Sequence, residues 1–237
     1  MIDAFKDRII WTFWTGYNSM SEDRELSLEV LERDSGCKVI VITPENMDEY
    51  ILEEDPLHKG YDLLSLTHKS DYLRSYFLYH YGGGYSDIKG YTYSWLPFYE
   101  QLAESDKQFM GAQEQAPDHI ASDNFLVRNH FEKLASVRCL IFKPKTEFAK
   151  EWKELTNKKM DEVFERLKEQ DGSYHPRAVN ASHPTAQGGA FQAEGDFPTT
   201  YPLWWNELLG QIVHQLQYEN LDSFMLGMPN QLVFNYR

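Results

Sequence analysis

Asp71 and Arg74 stand three residues apart in the stretch SDYLRSYFLYH, a spacing that puts both side chains on one face of a helix. A carboxylate and a guanidinium held in this way form either a surface ion pair worth about 0.3–0.5 kcal/mol or an acceptor and a forked donor presented together. Thirteen residues beyond Arg74 comes Asp87, and two further on comes Lys89. Between the two charged pairs runs YHYGGGY, Tyr79 to Tyr85, with Gly82, Gly83 and Gly84 in succession. One glycine closes a helix well. Three supply backbone that can turn sharply and let a ligand approach it closely.

A glycine run beside a lysine invites a phosphate-loop reading, but the chain has no Gly-Lys pair. The dinucleotide pattern GxGxxG also fails, because Gly82 and Gly84 fit while the sixth position is Asp87. HExxH and GxSxG are absent, and the eight histidines are scattered without metal-binding helical spacing. Taken singly, each histidine reads as a structural or surface residue.

The elements that must position these residues follow from periodicity and punctuation. RIIWTFWT, residues 8–15, is rich in β-branched and aromatic residues and reads as a strand ended by Gly16. Residues 21–36 read as a helix with Leu26, Val30 and Arg33 on one stripe and Leu28 and Leu31 beside it. KVIVIT, residues 38–43, has the continuous apolar run of a strand buried on both faces. Thr43-Pro44 offers a cap and a first-turn proline for a second helix. This β-α-β-α opening predicts a parallel sheet with helices packed on it. The helix carrying Asp71 and Arg74 follows, closed by the glycines, and GYSDIKGY reads as a short strand or turn. KQFMGAQ and VRCLIFKP are further strands, and Thr146 opens a long helix with Phe148, Trp152, Leu155, Met160, Val163 and Leu167 along its apolar stripe. Residues 171–202 are rich in Gly, Pro, Ser and Thr without a period, which predicts a functional loop or lid with Gly188-Gly189 as its hinge. LWWNELLGQIVHQL, residues 203–216, reads as a helix and QLVFNYR, residues 231–237, as a last strand. No repeat or linker interrupts the sequence, so 1–237 reads as one domain.

Composition bounds the partners. The chain has 237 residues, 42% hydrophobic and 25% charged, with a high aromatic share of 15%. A net charge of −14 argues against nucleic acid and against anionic membrane surfaces. An anionic substrate would need local cations or a metal to overcome that field. Cys37 and Cys139 form neither CxxC nor a disulfide framework. With no signal peptide and no long apolar window, the reading is a cytoplasmic protein without a membrane span.

HKSDYLRSYFLYHYGGGYSDIKG resembles the core of the family 32 type of nucleotide-sugar-dependent glycosyltransferases. The capsular polysaccharide synthesis proteins and the sugar-transfer domain of the large clostridial toxins share this pattern. It runs from an Asp and an Arg three apart, through Tyr-x-Tyr-Gly-Gly-x-Tyr, to Asp-x-Asp. The matching positions are Asp71, Arg74, Tyr79, Tyr81, Gly82, Gly83, Tyr85 and Asp87. IIWTFWTG resembles the family's first strand, with Trp14 at the position that stacks on the nucleotide base. The resemblance implies a GT-A fold, a Rossmann-like and mostly parallel α/β sheet that binds a UDP- or GDP-sugar at its strand ends. It implies that Asp71 and Arg74 grip sugar hydroxyls, that Gly83, Gly84 and Tyr85 bring backbone close to the donor, and that Asp87 serves a Mn²⁺ or Mg²⁺ ion on the diphosphate. It further implies a retaining hexosyltransferase acting on a glycan, lipid-linked or protein acceptor in polysaccharide synthesis.

The chain departs from the pattern at one place: Lys89 stands where the second Asp belongs. Lys89 neutralises the diphosphate without a metal, or Asp87 keeps a metal with help from His183 or His214, or Lys89 points to solvent. The loss also admits a non-catalytic nucleotide-sugar- or carbohydrate-binding protein with a degenerate Asp-x-Asp site. Secondary candidates are Asp123 within Ser122-Asp123-Asn124, which is also a turn sequence, Trp204 and Trp205 as acceptor-groove or core residues, and Glu194 or Asp196 as a base.

Overall fold

The computed structural model describes residues 2–122, 124–169 and 201–230. Its centre is a six-stranded sheet built from β1 (Ile9–Phe13), β2 (Lys38–Ile42), β3 (Gly83–Ser86), β4 (Phe109–Gln113), β5 (Ala135–Phe142) and β6 (Phe224–Met228), in the order β2-β1-β3-β5-β4-β6. β1 pairs in parallel with β2 and β3, and β4 with β6, while β5 runs antiparallel to both β3 and β4. Five strands therefore point one way and β5 alone is reversed. This is the mostly parallel α/β sheet that the opening pattern and the resemblance predict.

Alternation along the strands divides the core in two. Trp11, Phe13, Tyr85, Leu140 and Phe142 face a large cluster closed by α2 (Leu66–His80), α5 (Glu147–Glu169) and α6 (Gly210–Glu219). Ile10, Met110, Cys139 and Ile141 face a smaller cluster closed by α1 (Glu22–Ser35) and α3 (Leu96–Glu104). α2 is buried on nearly every side, and Ser65 caps it by accepting from the His68 amide at 3.2 Å. In α5 the expected stripe is buried, with Leu155 half-buried at its margin.

Several expectations change. β2 is an edge strand and only partly buried, although Ile40 and Val39 do face the two clusters. Its apolar run reports two packed faces but not the open side of the sheet. In α1 the buried face is Ser27, Val30, Leu31 and Ser35, and Leu26 is exposed. The helix expected after Thr43-Pro44 is one 3₁₀ turn at Met47–Tyr50. There Asn46 diverts the chain: its Oδ1 accepts from the Thr43 amide and its Nδ2 donates to the Val41 carbonyl, both at 2.9 Å. α6 starts only at Gly210, after turns over 205–209. α3, β6 and the short α4 (Phe125–Asn129) are additions to the sequence reading. The strand expected at 231–237 and residues 171–200 of the expected loop lie outside the described residues. Among the described residues no helix is long and apolar enough to cross a membrane.

Candidate active site at the strand ends

The C-terminal ends of β1 and β3 and the N-terminal end of the reversed β5 meet under α2. A cavity of about 490 Å³ opens there, lined among others by Trp14, Asp71, Arg74, Asp87, Lys89 and Arg138. This is where a parallel sheet delivers its loops and where ligands of such sheets bind. Trp14 follows directly on β1. Its amide donates to the Ile42 carbonyl at 2.9 Å and its indole Nε1 to the Asn18 carbonyl at 2.7 Å, which fixes the ring at the cavity wall.

The charged residues form one continuous chain. Arg74 Nη2 donates to Asp71 Oδ1 at 3.3 Å and to the Tyr85 hydroxyl at 2.7 Å. The Tyr85 hydroxyl donates in turn to Asp87 Oδ1 at 2.8 Å. Lys89 Nζ donates to Asp87 Oδ2 at 2.7 Å. The Arg74 guanidinium lies 4.0 Å above the Tyr85 ring, its Nη1 donates to the Val137 carbonyl at 2.8 Å, and Nη2 is 3.6 Å from Asp87. The Asp71–Arg74 pair is thus buried, not a surface ion pair. Arg74 is largely taken up by protein groups, bonding Asp71, Tyr85 and the Val137 carbonyl. Asp71 is bonded through Oδ1 alone among the described residues, which leaves Oδ2 for an incoming hydroxyl.

Lys89 is 4% exposed, which removes the third of its readings, a lysine pointing to solvent. Its position follows from the local chain: the Asp87 amide donates to the Arg138 carbonyl at 2.9 Å, extending the β3–β5 ladder by one residue. Arg24 of α1 then donates from Nη1 to the Ile88 carbonyl at 2.9 Å and clamps the turn between Asp87 and Lys89.

The two carboxylates are driven apart. Burial pushes the Asp71 carboxyl up to about 7 against the pull of Arg74, helped by repulsion from Asp87. Burial also opposes ionisation of Asp87, but Lys89 and Arg74 outweigh it and hold that carboxyl at about 2. One site therefore keeps one carboxyl able to carry a proton near neutrality and one fixed as an anion.

The glycines play a different part from the expected one. Gly82 and Gly83 have φ of 63° and 85°. A Cβ on Gly82 would lie 2.8 Å from the Phe142 carbonyl oxygen, and one on Gly83 would lie 2.7 Å from the Ile9 carbonyl oxygen and 2.8 Å from Ala4 Cβ. A Cβ on Gly84 would meet the Tyr99 hydroxyl at 2.9 Å. The closely approaching backbone belongs to the protein itself, so Gly83 and Gly84 seat β3 in the sheet and do not line the cavity. Tyr85 alone of that trio reaches it.

His214 does not accompany Asp87. It is buried elsewhere, accepting from the Ala121 amide at 3.3 Å through Nδ1, with Nε2 3.7 Å from Glu114 Oε1. His183, Glu194, Asp196 and Asp123 lie outside the described residues; Asn124 beside Asp123 caps α4, as a turn residue would. Trp205 lines the cavity, whereas Trp204 packs on the core. Among the described residues no group of three or more His, Cys, Asp and Glu could hold a metal ion. Sequence reading missed Arg138, whose Nε donates to Ser136 Oγ at 3.0 Å and whose Nη2 donates to Asn230 Oδ1 at 2.7 Å. Its one signal was a charge inside the apolar strand VRCLIF.

Residues 3–166 match the model of the family described as capsular polysaccharide synthesis protein. The chain belongs to the capsular polysaccharide synthesis family. The matched span holds Trp14, Arg24, the whole Asp71-to-Lys89 chain and Arg138, and stops inside α5. No curated protein matches this capsular polysaccharide synthesis family member. Among solved structures it is similar to the PaToxG glycosyltransferase, at 15% identity and a TM-score of 0.45, over 68% of this chain and 64% of that one. It thus spans just under two thirds of that chain.

Proposed function

We propose that this protein is a glycosyltransferase that moves a hexose from a UDP- or GDP-sugar to a hydroxyl of a glycan, lipid-linked or protein acceptor in polysaccharide synthesis. The observation that carries the reading is the unbroken chain Asp71–Arg74–Tyr85–Asp87–Lys89, bonded end to end in the cavity at the strand ends beside Trp14. Trp14 offers the flat apolar face that a base needs. Asp71 accepts from a hydroxyl of the donor sugar, and Arg74 holds it in place. At the far end the chain's cations meet the diphosphate. The bond from the anomeric carbon to the β-phosphate oxygen breaks and its electron pair stays on the diphosphate. The acceptor oxygen bonds the anomeric carbon and its proton passes to the departing diphosphate, with retention of configuration. Charge grows on the leaving group in the transition state, so cations fixed there stabilise it more than the ground state.

The test is a panel of UDP- and GDP-sugars with released nucleotide as the readout, followed by the anomeric configuration of the product by NMR. Turnover with one donor is expected, lowered about tenfold in Asp71→Asn, which loses the carboxylate that accepts from the sugar hydroxyl. Binding of a donor without turnover on any acceptor class would make the protein a nucleotide-sugar-binding protein instead. Neither binding nor turnover would end both readings.

A further inference from the structure

We propose that this protein neutralises the diphosphate of its donor with its own cations, Lys89 foremost and Arg138 beside it, and takes no divalent ion at Asp87; the proposal rests on the donor reading above. Where the Asp-x-Asp pattern has its second carboxylate, this chain has an ammonium. The fold has closed that ammonium onto Asp87 Oδ2 at 2.7 Å, in a position 4% exposed. The other oxygen, Oδ1, accepts from Tyr85 at 2.8 Å and faces Arg74 at 3.6 Å. A divalent ion on Asp87 would share its oxygens with these donors and sit against a buried like charge, which a low local dielectric makes costly. Hard cations also call for six or more oxygen ligands. The other carboxylate lining the cavity among the described residues, Asp71, is bonded to Arg74 and is biased by burial towards its protonated form.

The charge around the cavity points the same way. Among the described residues, Arg24, Arg74, Lys89 and Arg138 line it together with the carboxylates Asp71 and Asp87, in a chain of net charge −14. Four cations gathered around one cavity of an acidic protein make a site for an anion. Each is fixed in place by the protein: Arg138 by Ser136 and Asn230, Arg24 by the Ile88 carbonyl, Lys89 by Asp87, and Arg74 by Asp71, Tyr85 and the Val137 carbonyl. As the anomeric bond breaks, the charge gained by the β-phosphate falls on donors that do not need to move, which is the work a metal does in the Asp-x-Asp pattern. Lys89 acts as a compact point charge for the phosphate, and Arg138 as a planar fork.

The experiment is calorimetric titration of UDP and GDP into the full chain, in EDTA and again in excess Mn²⁺ or Mg²⁺. One nucleotide is expected to bind with the same Kd in both buffers, within about twofold. Lys89→Ala should weaken it about 10- to 100-fold in both, corresponding to loss of one charged hydrogen bond, while Lys89→Arg keeps most of it. Lys89→Asp restores the second carboxylate and should bind only when Mn²⁺ is present. Arg138→Gln supplies a second test should Lys89→Ala fail to fold, with an expected loss of about tenfold. Wild-type binding at least about tenfold tighter in Mn²⁺ than in EDTA would overturn the metal-free proposal and leave the donor reading standing. No binding of either nucleotide in either buffer would overturn the donor reading, and this proposal with it.

Discussion

Asp71 and Asp87 ionise in opposite senses, and pH separates them. Asp71, raised to about 7, lies above the unfolded carboxylate value of about 4. Its contribution to stability is complete at acid pH and fades as pH rises from about 4 through about 7. Asp87, held at about 2, contributes fully above about 4 and loses that contribution as pH falls towards 2. Asp71→Asn is therefore expected to flatten the decline of stability from about pH 5 to 8 in urea unfolding. If the Asp71→Asn protein keeps the wild-type slope, the decline belongs to another group. The residues of this chain were legible in sequence because Asp71, Arg74, Asp87 and Lys89 lie within one short segment in fixed order. Arg138 and Arg24 were not, since only the pairing of Ser86 with Cys139 sets Arg138 across from Asp87. The glycines were found but misread, because their close neighbours Ala4, Ile9 and Tyr99 are remote in sequence.

At the level of elements, the start of α2 is tied to the segment that follows residue 200. His68 is fully buried and, with burial outweighing its carbonyl acceptors, its imidazolium is disfavoured down to about 4. The neutral ring fits one tautomer: Nε2–H donates towards the Trp204 and Trp205 carbonyls at 3.1 and 3.2 Å, and Nδ1 accepts from the Tyr201 hydroxyl at 2.7 Å. That hydroxyl accepts from the buried Ser65 amide at 3.0 Å. Tyr201→Phe leaves the amide and the ring nitrogen unpaired, and should cost about 1–3 kcal/mol in thermal unfolding. Because Trp205 lines the cavity, the same change should raise the donor KM more than it lowers kcat. The depressed His68 contributes stability that is complete above about 6.5 and is lost as pH falls towards 4, opposite in sign to Asp71 over that window. β1 was legible from its β-branched and aromatic run, α2 from its closing glycines and α5 from its apolar stripe. β6 was missed because Phe224–Met228 contains a glycine and gains its strand geometry from pairing with β4. The helix after Thr43 was overridden by the side chain of Asn46.

For the whole molecule, a ligand in this cavity would join α1, α2, β1, β3 and β5, the elements that hold both core clusters together. Binding to the native state alone raises apparent stability by about 2.7 kcal/mol at a hundred times Kd. A matched UDP- or GDP-sugar is therefore expected to raise Tm in EDTA by as much as in Mn²⁺, read by differential scanning fluorimetry; a rise confined to Mn²⁺ would count against a site charged by the chain alone. The sheet class was legible from the β-α-β-α opening, but the reversal of β5 was not, since strand direction depends on connections that periodicity does not record. The packing of Ala4 has a practical consequence. Leading residues of a domain can usually be trimmed without loss. Here Ala4 is fully buried, its amide donates to the Tyr81 carbonyl at 3.0 Å, and its methyl fills the place a side chain on Gly83 would need. Shortening the chain past Ala4 would open a gap beneath the strand that leads into Asp87. The truncated protein would keep every residue of the site and lose the floor on which they stand.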